Sequence, residues 1–276
     1  MTENLIDARG VVVSYHSGGL AGLGRKHVQI LHGVDLAVGR GEIVGIVGES
    51  GSGKTTLGRA LLGLVKPVAG AIRFDGTDIT ALAPAELRHL RKRMQMIFQD
   101  PMSSLNARQT IRQILVGPIL LHGVETDRRA AERRVTRVLD RVRLPAHVLD
   151  RHPQELSGGQ RQRIGIARAI VLEPDFVLAD EVVSGLDVST QAQVLDLLLE
   201  LRRELNLSIA FISHDLSVIR AFCGRVAVLR AGKIVEEGAC EKVFSAPASD
   251  YTRALIDAIP LPDLDPAWLA ASPQAA

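Results

Sequence analysis

A phosphate loop constrains this chain more than any other feature. Gly48-Glu49-Ser50-Gly51-Ser52-Gly53-Lys54-Thr55, with Thr56 behind it, fits the GxxxxGK[ST] pattern in full. That pattern needs a strand before it and a helix after it. Glu42-Ile43-Val44-Gly45-Ile46-Val47 is a short apolar run rich in β-branched residues, and Leu57-Gly58-Arg59-Ala60-Leu61-Leu62 reads as a helix. Glycines let the backbone curl so that successive N–H groups point at phosphate oxygens, and the helix N-terminus adds its positive end. Lys54 then reaches the β and γ oxygens, and the Thr55 hydroxyl is placed for Mg²⁺. A plain glycine-rich turn is the alternative, and the flanking strand and helix speak against it.

Downstream, Asp175-Phe176-Val177-Leu178-Ala179 is an apolar run ending in Asp180 and Glu181, as a buried parallel strand delivering carboxylates at its C-terminal edge would be. Two adjacent acids alone could equally cap a helix or sit in a turn. Behind a phosphate loop they read as a metal ligand, Asp180, and a group that polarises the attacking water, Glu181.

Composition narrows the partners. The net charge is +2 with His neutral, and aromatics make up 3% of the chain, too few for a basic surface that stacks bases, so nucleic acid is excluded as a partner. The densest basic stretch, Arg128 to Arg143, carries Val135, Val138, Leu139 and Val142 at helical spacing and predicts an amphipathic helix with a solvated arginine face. No apolar run approaches the ~18 residues of a membrane span, and residues 1–10 lack a basic start followed by a hydrophobic stretch, so a cytoplasmic location is expected. Cys223 and Cys240 alone cannot supply a disulfide framework or four metal ligands.

With these residues in place the chain resembles the ATP-binding cassette family over nearly its whole length. Leu156-Ser157-Gly158-Gly159-Gln160-Arg161-Gln162-Arg163 looks like the family's signature, and Phe98-Gln99-Asp100-Pro101 looks like its glutamine loop. Ser184-Gly185-Leu186-Asp187 is similar to the D-loop, and Ile212-Ser213-His214-Asp215 to the switch histidine. Singly, Gln99 would be a helix-end amide and His214 a satisfied interior histidine; their order on the chain favours the family reading. The resemblance implies two cassettes meeting head to tail, with each ATP held between one chain's phosphate loop and the other's signature. Ser157 would offer a hydroxyl, and Gly158 and Gly159 would offer N–H groups at the start of a helix from Gln160 to Val171. Gln99 would bridge metal and water, His214 would bond the γ-phosphate, Asp187 would link the two sites, and Tyr15 would stack on adenine.

The implied fold is α/β: a P-loop NTPase (RecA-like) core with an antiparallel β lobe, an inserted α-helical subdomain and a C-terminal extension. The expected cassette spans 1–240 with its insert at about 100–156, and the extension spans 241–276. Residues 1–97 alternate like strands, with a turn at Asp75-Gly76, and a second hairpin turns at Ala231-Gly232. The stretch from Gly18 to Gly24 reads as a mobile hairpin tip, and the proline-bearing tail from Glu241 reads as an appendage.

More narrowly, Phe98-Gln99-Asp100-Pro101-Met102-Ser103-Ser104-Leu105-Asn106, Asp250-Tyr251-Thr252-Arg253-Ala254-Leu255 and Ala258-Ile259-Pro260 look like the ATPase subunits of bacterial dipeptide, oligopeptide and nickel importers. That implies ATP and Mg²⁺ as cofactors, two transmembrane permeases, a second ATPase subunit of the same or different sequence, and indirectly a solute-binding protein. It also implies peripheral attachment at the cytoplasmic face of the cell membrane. Peptides are the first cargo and nickel, free or chelated, the second. A soluble non-transport cassette would carry two cassettes or a long heptad insert, and neither is present. Ala107 and Val182 stand where relatives usually or often have Pro, departures that bear on loop rigidity and remove no ligand.

Overall fold

The structure is a computed structural model that describes residues 4–17 and 26–258. Strands β1 (Asn4–Ser17) and β2 (Lys26–Gly39) form a long antiparallel pair, followed by β3 (Ile43–Val47), the phosphate loop and helix α1 (Lys54–Leu61). Next come β4 (Ala69–Phe74), β5 (Thr77–Asp78), α2 (Pro84–Arg91) and β6 (Met94–Ile97). Between β6 and β7 lie α3 (Pro101–Ser104), α4 (Ile111–Leu121), α5 (Arg128–Arg141), two 3-10 turns (Ala146–Asp150 and Pro153–Glu155) and α6 (Gly158–Ile170). The chain returns through β7 (Phe176–Asp180), α7 (Val188–Leu205), β8 (Ser208–Ile212), α8 (Leu216–Phe222), β9 (Arg225–Arg230) and β10 (Lys233–Ala239). It ends in α9 (Cys240–Ser245) and α10 (Asp250–Asp257).

Two sheets result. One is antiparallel, ordered β2-β1-β4-β5, and the other is ordered β10-β9-β3-β8-β7-β6, parallel except for the edge strand β10. β3, β7 and β8 are buried along their whole length, as strands covered on both faces must be. Alternation divides their side chains between two cores. Val44, Ile46, Leu178 and Ile212 pack with α1 and the antiparallel sheet, whereas Ile43, Val47, Val177 and Phe211 pack with the helices on the other side. α1 is drawn against this floor through Leu57 and Leu61, both fully buried and each contributing about 1.5–3 kcal/mol. At Gly58 a Cβ would stand 2.7 Å from the Leu178 methyls, so the helix lies closer to β7 than any side chain would permit. That approach fixes the phosphate loop relative to the end of β7.

Both predicted turns are present, at Asp75-Gly76 and Ala231-Gly232, each with positive φ at both residues, the geometry that matches strand twist. The strand-like reading of 1–97 does not include α2. Its apolar face is only Leu87 with Leu90 half-buried beside it, too short to mark a stripe in the sequence; it is started by Pro84 at its first position and by Glu86, which accepts from the Ala83 N–H at 2.9 Å. The expected arginine-faced helix is α5, with Val135, Val138, Leu139 and the following Val142 buried. Its charged face is only partly solvated. Arg134 is 12% exposed, donates to the Val171 carbonyl and pairs with Glu173, and Arg141 reaches Glu173 and Glu204. These contacts fasten α5 to the segment just after α6 and to α7. The Gly18–Gly24 tip and the prolines from Pro260 onward lie outside the described residues.

Candidate nucleotide site

The phosphate loop begins in a place where only glycine fits. Gly48 has φ 146°, and a Cβ on it would stand 2.0 Å from the Leu229 carbonyl oxygen. Lys54 folds back inside the loop, 7% exposed, and its Nζ donates to the carbonyls of Gly48 at 2.7 Å and Glu49 at 2.8 Å. Burial lowers the pKa of that ammonium, and the charges of Glu181 and Asp180 oppose the shift. The loop is braced from behind where Gly232 N–H donates to the Ser52 carbonyl and His32 N–H to the Gly232 carbonyl, both at 2.9 Å. α1 starts at a left-handed Gly53 with no side-chain cap and no acid in its first turn, so its leading N–H groups face the cleft unclaimed by its own chain. The Ser52 hydroxyl is buried without a hydrogen-bond partner.

Tyr15, Ile30, Ser50, Gly51, Gly53, Lys54, Thr55, Thr56, Gln99 and Glu181 line one open cleft of about 450 Å³. Tyr15, 42% exposed, stands on its rim from β1. Ile30 of β2, which the sequence reading does not single out, stands with it; an aliphatic residue in a strand carries no mark that separates cleft from core.

Carboxylates enter from the end of β7. Thr55 Oγ1 donates to Asp180 Oδ1 at 3.3 Å, and burial pushes the Asp180 pKa up, with Glu181 adding to the shift and Thr55, Arg59 and Lys54 opposing it. A hydroxyl and a carboxylate are hard oxygen donors, and a buried carboxylate of raised pKa is one that a cation would relieve. One carboxylate and one hydroxyl suit an ion that takes one or two carboxylates and completes its shell from phosphates and water. The donors therefore fit Mg²⁺.

Glu181 has φ 49°, a left-handed conformation rare for a residue with a side chain, held by its N–H to the Ile212 carbonyl at 2.9 Å. This turn directs its carboxylate into the cleft. Gln99 Nε2 donates to Glu181 Oε2 at 2.8 Å from the end of β6, and His214 Nδ1 lies 3.5 Å from the same oxygen from the end of β8. Three strand ends thus converge on one atom.

Ser157, Gly158, Gly159, Gln160 and Asp187 are absent from this cleft. α6 begins at Gly158, two residues before the expected start, because Ser157 caps it: its Oγ accepts from Gln160 N–H at 3.3 Å while Gln160 Oε1 accepts from Ser157 N–H at 3.0 Å. Asp187 caps α7, accepting from Thr190 N–H, Thr190 Oγ1 and Ser189 Oγ, bonds that hold its carboxyl far below the usual range. The two tips touch, since a Cβ at Gly159 would stand 3.0 Å from the Thr190 methyl. The site residues therefore fall into two groups, one in the cleft and one on a separate exposed surface.

A family model described as ABC transporter matches residues 31–184, from β2 through the phosphate loop, glutamine loop and signature to the residues just past Glu181. The chain belongs to the ABC transporter family. It is an ATPase of that family. A putative peptide import ATP-binding protein of Brucella ovis is 49% identical over 266 residues, covering 96% of this chain and 82% of that one. The oligopeptide transport ATP-binding protein OppF of Escherichia coli K12 is 45% identical over 240 residues, covering 87% of this chain and 72% of that one. Among solved structures, a dimeric ATP-binding cassette in a post-hydrolysis state with ADP and Pi superposes with a TM-score of 0.75 at 28% identity, over 85% of this chain and 98% of that one.

Proposed function

We propose that this cassette powers peptide uptake, paired with a second cassette beneath two membrane permeases. The observation that carries the ATPase half of this reading is the Glu181 carboxylate held between Gln99 and His214 in the cleft that Lys54 and Thr55 line. Support for the cargo comes from relatives named for peptide and oligopeptide import at 43–49% identity. No helix among the described residues is long and apolar enough to cross a membrane, so transport requires partners that do. Exposed Phe98 and Met102 beside Gln99, with Leu121 across the adjoining groove, offer those partners an apolar foothold next to the site, and the chain then sits at the cytoplasmic face.

In this reading the N–H groups from Gly51 to Thr56 receive the β- and γ-phosphates, Lys54 turns from the loop carbonyls to the γ-phosphate, and Tyr15 stacks on adenine. Thr55, Asp180 and Gln99 would hold Mg²⁺, which when bound neutralises charge across the β- and γ-phosphates. Glu181 takes the proton of the attacking water while Gln99 and His214 fix its carboxylate and His214 bonds the γ-phosphate. Ser157, Gly158, Gly159 and Gln160 of the partner cassette close over that phosphate, and Asp187 lies beside the joint between the two sites. Closure of the pair moves the permeases and hydrolysis resets them.

Glu181→Gln in the complete complex is expected to bind ATP as the wild type does and to lose turnover by about 10²-fold or more. Near-normal steady-state hydrolysis would refute the assigned base. For cargo, the accompanying solute-binding protein should show thermal shifts with short peptides, and a response to Ni²⁺ alone would reassign it.

A further inference from the structure

The C-terminal helix α10 is fastened to the core at its start, where Glu236 of β10 accepts from Ala248 N–H at 2.8 Å and Ser249 N–H at 3.0 Å. That anchorage places Tyr251, 8% exposed, under the Arg230 guanidinium, 4.7 Å from the ring centre. Its hydroxyl accepts a hydrogen bond from Glu49 N–H at 3.1 Å, inside the phosphate loop. The carbonyl of that same peptide unit belongs to Gly48 and accepts from Lys54 Nζ at 2.7 Å. One amide plane is therefore gripped at both ends, by a tyrosine from the C-terminal helix and by the loop lysine. Gly48 itself is pressed against the Leu229 carbonyl, so the plane has a fixed pivot at its N-terminal side.

We infer that Tyr251 is a positioning residue for nucleotide binding: its hydroxyl holds the Gly48–Glu49 peptide in the orientation the phosphate loop needs to receive phosphate. Acceptance by Tyr251 keeps the Glu49 N–H paired and the peptide plane in place when Lys54 turns from the Gly48 carbonyl to the γ-phosphate, so the loop keeps its shape. An already ordered loop binds phosphate without the cost of ordering it at that moment. Residues 250–257 thus act on the nucleotide site although they lie far from the motifs in sequence. The inference rests on the phosphate-loop reading given above.

Tyr251→Phe removes the hydroxyl and keeps the ring over Arg230. In the full chain, calorimetric titration with ATP and Mg²⁺ should give a Kd raised about three- to tenfold, the range of one lost hydrogen bond. In the complete complex KM for ATP should rise by the same factor with kcat unchanged. An unaltered Kd and KM overturns the inference. Thr252→Val, at a buried neighbour in the same helix, disturbs the seating of α10 beside Glu236 without touching the Tyr251 hydroxyl and should leave Kd at the wild-type value even where it lowers the melting temperature. If it raises Kd as much as Tyr251→Phe, the seating of α10 is responsible, the Tyr251 hydroxyl is not, and the inference is overturned. Lys54→Ala, run in parallel, should lose binding. Loss there with no change in Tyr251→Phe overturns this inference alone, whereas wild-type affinity in Lys54→Ala overturns it together with the phosphate-loop reading.

Discussion

At the start of α1 the cap is Gly53, left-handed and without a side chain, whereas at the start of α6 Ser157 and Gln160 bond each other's backbone N–H groups. Each tip is proposed to meet a triphosphate, α1 the one in its own cleft and α6 the one in the partner's, yet one is left open and the other is capped by its own chain. The open tip has Lys54 buried behind it and the paired acids in front, so an anion with its cation completes an arrangement that is electrostatically unfinished. At the capped tip Ser157 and Gln160 already pair each other's N–H groups, and what it offers a ligand is the Gly158 and Gly159 N–H groups beside Thr190. The difference teaches which half leads. In the proposed function the cleft captures nucleotide within one chain, and the signature surface acts once a second chain brings it there.

The sharpest way to break this contrast is to spoil the passive tip while sparing the cleft. Nothing outside its chain neighbours and its own helix backbone lies within 4 Å of a Cβ built on Gly158, and an acid in the first turn favours a helix, so Gly158→Asp should fold normally. Its isolated chain should bind ATP with wild-type affinity, and hydrolysis by the assembled complex should fall by about 10²-fold or more, since a negative charge then faces the γ-phosphate. Weakened ATP binding in the isolated chain would show that the two tips are not separable.

Asp180→Asn sharpens the other side. The folded pKa of Asp180 is raised by burial, so the folded state binds its proton more tightly than the unfolded chain does, and ionisation removes stability as pH rises from the unfolded value of about 3.9 through the folded one. The variant should therefore melt higher than wild type at pH 7 without nucleotide. That gap should close as pH is lowered through the folded pKa, and Mg²⁺-dependent hydrolysis should be lost. A lower melting temperature at pH 7 would mean that the carboxylate is not the unrelieved charge described. The smallest effect concerns the self-capped tip: Ser157→Ala should cost about 1 kcal/mol in urea unfolding and leave ATP affinity of the isolated chain unchanged.

How far the residues announced these features depended on the range of the interaction involved. The phosphate loop, Asp180, Glu181 and both hairpin turns were legible because each is a local pattern whose geometry follows from neighbours in the chain. The signature helix was misplaced by two residues because glycines oppose helix while the Ser157 cap and the Gln160 side chain overrule them. α2 was hidden by the shortness of its apolar face, and the arginines of α5 read as solvated because their partners Glu173, Glu204 and the Val171 carbonyl lie on other elements.

The sequence by itself determined the phosphate-binding chemistry, the strands that carry it and the family resemblance, since period, capping and turn residues act over a few positions. Only the tertiary structure decided that Gln99 and His214 meet at one oxygen of Glu181, that the signature stands apart from the cleft, and that Tyr251 grips the peptide beside Lys54. Those are matters of direction between side chains on separate strands and helices. Hydrogen bonds depend on angles and ångströms that no spacing along a chain encodes until packing has set the elements in place.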